Sequence, residues 1–126
     1  MKVFVGVLIF FLLFFVLGWY TEVIIARQAE EILTQLERLA TDVKSNEPAA
    51  INAQLEVINQ LWVKSRNLWV LLIDHHDLDH FEVALGRTKS YLESNVPVLA
   101  LGEISELKQI IYRIPDELRL NLENIF

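Results

Sequence analysis

Cysteine is absent from the 126-residue chain. That excludes disulfides, thiolate metal sites, a cysteine nucleophile and lipid attached through a thiol, while leaving the redox compartment open. Glycine is scarce and scattered: Gly6, Gly18, Gly86 and Gly102 stand alone, so no glycine-rich loop is present to cradle a phosphate. The serines lie in no nucleophile-turn context, and no oxyanion site can be assembled from the sequence. Paired carboxylates such as Glu30 with Glu31, or Glu103 with Glu106, fall where solvated helix faces are expected. No catalytic residue and no cofactor is expected, and the chain does not read as an enzyme.

Positive charge is also in short supply. The 11 basic residues include Lys2, and those beyond Tyr20 are outnumbered by the 17 acids. Arg27, Arg38, Lys44, Lys64, Arg66, Arg87 and Lys89 are dispersed among acids and make no basic stripe. A nucleic-acid partner is therefore not expected, because a phosphate backbone would be repelled.

What the chain has in abundance is apolar side chains, and they are unevenly spread. From Val3 to Tyr20 there is no charged or strongly polar residue. As a helix this stretch would be about 27 Å long, close to the roughly 30 Å hydrocarbon core of a bilayer. A cleaved signal peptide is the competing reading, but its apolar core usually runs about 7 to 15 residues and ends at a small-x-small site. Here the core is longer, and Ile24 with Ala26 is only a weak cleavage candidate. Trp19 and Tyr20 suit the headgroup region, where amphipathic rings concentrate. The segment is thus read as a retained single-pass anchor in the cell membrane. The short amino-terminal tail resembles an uncleaved signal, which gives an amino terminus inside and an extracytoplasmic domain.

Beyond the anchor, the apolar positions Ile25, Ala29, Ile32, Leu36, Leu39 and Val43 are spaced 4, 3, 4, 3, 4. This is the narrow seam of a coiled-coil or bundle helix. No glycine or proline separates it from the anchor, so anchor and first helix should form one rod. Ser45-Asn46-Glu47-Pro48 breaks the rod, with Asn46 as a candidate cap and Pro48 in a new first turn.

The second helix carries Ile51, Leu55, Ile58, Trp62, Ser65, Trp69 and Leu72, with Leu61, Leu68 and Leu71 widening its apolar face towards a second neighbour. A turn near Asp74 to Asp77, with either acid as cap, is the simpler account, and a long bent helix is the alternative because no glycine enforces the turn. Leu78, Phe81, Leu85, Thr88 and Leu92 then form a third seam. Ser94-Asn95-Val96-Pro97 is the next break, and Ala100, Ile104, Leu107, Ile111 and Ile114 make the fourth seam before Pro115. A tail with Leu118, Leu120 and Leu122, ending on Ile125 and Phe126, should dock on the bundle.

The expected fold is all-α: an N-terminal transmembrane helix over about 1–25 continuing into an up-down antiparallel bundle of about four helices. These are placed at about 26–44, 47–74, 77–94 and 97–114, with a docked tail over 115–126.

One segment, Asp74-His75-His76-Asp77-Leu78-Asp79-His80-Phe81-Glu82, contains all three histidines. On a helix, His76 and His80 share a face at a spacing that suits two metal-bound imidazoles. Asp77, Asp79, Glu82 or another helix would have to supply the remaining ligands. His76-Asp77 also resembles the His-Asp pair of metal-dependent phosphohydrolases, whose further ligands are not found here. The plainer reading is a capped helix start with histidines in a solvated turn, and no metal is expected. Trp62 and Trp69 could anchor a partner helix, or fill the bundle's own core. The core is the favoured reading.

The run Trp69-Val70-Leu71-Leu72-Ile73-Asp74-His75 with Asp77-Leu78-Asp79, and the ending Ile114-Pro115-Asp116-Glu117 with Leu118 to Leu122 and Asn124-Ile125-Phe126, resemble the domain-of-unknown-function family 4363. The resemblance covers nearly the whole chain. It implies a small membrane-anchored helical protein of a Gram-positive, spore-forming bacterium, and no assigned activity. The family's aromatic residue before the apolar-Asp-His run maps onto Trp69, Asp74 and His75. At His76 the family pattern has a small capping residue, so a His76–His80 metal pair is not implied as a family property.

The resulting expectation is a structural or interaction module at the cell envelope, with Trp62, Trp69, Asp74 and His75 as interaction candidates. Its partners would be the membrane together with another envelope protein or a second copy of the chain. The competing expectation is a small metal- or ligand-binding sensory domain centred on Asp74 to Glu82.

Overall fold

The structure, a computed structural model, describes residues 1–125, with Ile125 described by its backbone alone. Phe126, the last residue of the expected docked tail, lies outside the described residues. Four α-helices account for nearly all of the chain, and no strand occurs among the described residues: α1 Lys2–Lys44, α2 Pro48–Trp69, α3 His75–Glu93 and α4 Pro97–Ile125.

α1 is a single unbroken helix of 43 residues, about 65 Å long. Its two halves differ sharply. Residues 1–17 are all exposed in the isolated chain, and this helix is long and apolar enough to cross a membrane. In the second half all six seam residues, Ile25, Ala29, Ile32, Leu36, Leu39 and Val43, are buried. Burying each larger aliphatic side chain contributes about 1.5–3 kcal/mol. The bundle's core is thus built directly onto the continuation of the apolar segment.

The helices form an up-down bundle in which neighbours run antiparallel. α1 packs closely against α2 and α4, and α3 against α4. Gln54 Nε2 donates to Gln35 Oε1 between α2 and α1. α2 and α3 meet chiefly through long side chains: Trp62 stacks on Phe81 with ring centroids 4.1 Å apart, and Glu82 lies 2.6 Å from Arg66 Nε.

The turns after α1 and α3 share one design. Asn46 and Asn95 adopt left-handed backbone with φ of 52° and 59°. Asn46 N–H donates to Val43 O and Glu47 N–H to Asp42 O, while Asn95 N–H donates to Leu92 O and Val96 N–H to Tyr91 O. Both are Schellman motifs, in which asparagine tolerates the left-handed position and the next residue closes the longer bond. Asn46 therefore ends α1 and does not cap α2, whose N-cap is Glu47.

Two other expectations need correction. The turn between α2 and α3 spans residues 70–74, earlier than expected, because α2 ends at Trp69. Leu71 N–H and Leu72 N–H donate to Leu68 O and Trp69 O, tightening the last turn, and Ile73 is buried as the plug. Leu71, expected to face a second neighbour, points outwards instead.

The second correction concerns Pro115. The fourth helix does not stop there but runs on to Ile125. Pro115 deprives the Ile111 carbonyl of its usual donor. Continued burial of Ile110, Ile111, Ile114 and Leu118 along one face offsets that loss. The tail is accordingly helical, with Leu118 buried, Leu122 packed against the core and Leu120 exposed.

Candidate functional site

Antiparallel order brings the start of the bundle part of α1, the α2–α3 turn, the start of α3 and the end of α4 to one end, beside the apolar segment. The Asp74 to Glu82 segment therefore begins at the end of the bundle that adjoins the apolar segment. Asp74 is the α3 N-cap, its carboxylate accepting the His76 backbone N–H at 2.9 Å. This satisfies one of the four free donors of a helix start, and Asp77 in the first turn meets the positive end of the helix dipole. Asp74, His75, His76 and Asp79 are exposed, and Leu78 is buried.

The two metal candidates point to different tasks. The His76 and His80 rings have centroids 6.4 Å apart. His80 Nε2 lies 2.7 Å from Glu106 Oε1 on α4, and Arg87 joins the same face through Glu103 at 3.1 Å. His80 thus belongs to a polar seam that ties α3 to α4. Among the described residues no three metal-ligating side chains gather around one point.

At the same end Glu117 of α4 reaches towards α3. Desolvation raises its pKa from 4.5 to about 7, assisted by a hydrogen bond to Asp77 and by the negative charges of Asp77 and Asp74. The hydrogen bond between the Glu117 and Asp77 carboxyl groups joins the end of α4 to the start of α3 when Glu117 is protonated. Sequence spacing does not reveal this pair, since 40 residues separate its members; only the antiparallel pairing of α3 with α4 does.

Trp62 and Trp69 are core residues, 3% and 0% exposed. Their rings meet edge to face with centroids 5.8 Å apart. The Trp69 indole N–H donates to Gln28 Oε1 of α1 at 2.8 Å, and that of Trp62 to Glu82 Oε1 of α3 at 3.2 Å. Two buried rings with satisfied N–H groups leave neither available as an anchor for a partner of the folded bundle. Of the four interaction candidates, only Asp74 and His75 remain at the surface.

A further concavity lies at the opposite end of the bundle, between the two asparagine turns. It is a cleft of about 350 Å³ whose apolar lining includes Val43, Ile51, Leu55 and Leu92. None of the candidate residues of the Asp74 to Glu82 segment reaches it.

Among known proteins, no curated protein and no solved structure matches the chain. A family model does match, over residues 19–125, which covers the bundle and leaves most of the apolar segment outside. The chain belongs to the family described as domain of unknown function, DUF4363.

Proposed function

We propose that the protein is a single-pass membrane-anchored module that acts by binding, at the cell envelope, another envelope protein or a second copy of itself. The amino terminus lies inside and the bundle outside. One observation carries this: α1 is continuous from an exposed apolar half into a half that supplies the bundle's core. Such a helix fixes the bundle at the membrane without a flexible linker. The polar groups along α3 and α4 support binding over catalysis, because His80 and Arg87 pair with Glu106 and Glu103 and the groove they share with His76 and Asp79 is an open one.

Photocrosslinking in cells from exposed positions on the bundle tests this. The expected result is capture of a discrete partner or of a homodimer in the membrane fraction; recovery of uncrosslinked monomer from every position would count against it. The sensory reading centred on Asp74 to Glu82 has no comparable support, because His80 is engaged with Glu106 and, among the described residues, no three ligating side chains gather. Zinc, nickel or iron bound to the purified full chain and lost on His80→Ala would revive it.

A further inference from the structure

The anchor-side end of the bundle is not held clear of the apolar segment. Arg119 of α4 lies 3.4 Å from Glu22 of α1, and beyond this pair Leu122 shares a groove with Phe15, Gly18 and Trp19. From Glu22 back to Phe15, α4 overlaps the apolar segment by about two turns, roughly 10 Å of helix axis. The α2–α3 turn is drawn to the same level, since Asn121 Nδ2 donates to Leu72 O at 3.3 Å. Antiparallel to α1 and two residues past Arg119, Asn121 stands level with Trp19 and Tyr20. Two large apolar side chains project there: Leu71 is 76% exposed and Leu120 61%.

We propose that this end of the bundle is a lipid-contacting surface: Leu71 and Leu120 sit in the headgroup layer of the same bilayer that α1 enters. The inference rests on the reading of Val3 to Tyr20 as a membrane anchor. The occupant follows from length. Withdrawing the bilayer far enough to clear α4 would leave only Val3 to Phe15 in the hydrocarbon, about 20 Å of helix against a core of roughly 30 Å. With the hydrocarbon boundary near Tyr20, the end of α4 and the α2–α3 turn overlap the headgroup layer. Exposed leucines are stabilised there and unfavourable in water. The upward pKa shift of the Glu117 carboxyl, half-buried beside Asp77, reduces the negative charge at this end, which suits the same placement. A single helix then gains two further points of contact, and the bundle is held upright.

The absence of native cysteine makes the test direct. The full chain carries one spin label at a time, at Leu71→Cys, Leu120→Cys, Phe10→Cys or Val98→Cys. It is reconstituted in vesicles of phosphatidylethanolamine and phosphatidylglycerol. Collision with oxygen, which concentrates in lipid, is compared with collision with a water-soluble nickel chelate.

Labels at 71 and 120 are expected to favour oxygen over the chelate, at a shallower depth than the label at 10, while the label at 98 reports water. If 71 and 120 match 98 while 10 remains in lipid, the anchor stands and the proposal falls. Labels at 71 and 120 shielded from both reagents would mean a protein covering, which also overturns it. If the label at 10 reports water, the anchor reading itself has failed and the proposal with it.

Discussion

Trp62 and Trp69 show how far spacing alone can place a side chain. Seven residues apart, they take equivalent positions on one helix face, where either the core or a partner could receive them; burial and the Gln28 and Glu82 acceptors assign both to the core. Trp69→Ala should therefore destabilise the bundle by about 3–5 kcal/mol. The nearby Leu71→Ala, at an exposed site, should change stability in detergent by less than about 0.5 kcal/mol. Chemical denaturation of both variants followed by circular dichroism measures the contrast, and equal losses would contradict the assignment.

Glu117 gives a second expectation at this scale. Its folded pKa of about 7 lies above the usual 4.5, so the folded chain holds a proton that the unfolded chain releases. The associated stability is fully present below about 4.5 and is lost as pH rises through about 7. Thermal melts between pH 5 and pH 8 should show a smaller pH dependence for Glu117→Gln than for the parent chain, with the variant the more stable of the two at pH 8. Parallel curves would rule the coupling out. Neither this pair nor the His80–Glu106 contact was legible in the sequence, because each joins residues on different helices whose rotation about their axes is settled only by packing.

Among the elements, the helices themselves were the most legible part. The 4, 3 spacing picked out six positions on α1, and all six are buried; on α4 the five seam residues from Ala100 to Ile114 are buried as well. Periodicity succeeds here because each helix faces the core with a single stripe. The helix ends were less legible. Asn46 and Asn95 are compatible with either starting or ending a helix, and the left-handed geometry that decides for ending comes from the backbone bonds of the whole turn. Pro115 misled for a related reason: local chemistry favours a break, and the buried face from Ile110 to Leu118 overrides it. Pro115→Ala should restore the missing backbone bond and stabilise the chain by about 1–3 kcal/mol. Helix content by circular dichroism should be unchanged. A fall in melting temperature would show that the proline is needed for the shape of α4.

For the whole molecule, the decisive property is that no joint separates the membrane-compatible half of α1 from the half that carries the core. Any motion of the bundle relative to the apolar half must bend this helix, and the end of α4 packed beside Trp19 resists that. The cleft between the two asparagine turns is consequently held at the far end of the bundle, facing away from the apolar half of α1. The most direct test of the rod is a distance across it. Spin labels at Phe10→Cys and Arg38→Cys in the full chain, reconstituted in vesicles, should give one narrow distribution centred at about 42 Å, the axial rise of 28 helical residues. A broad distribution, or one centred well below that length, would mean a hinge within α1 and would contradict the account.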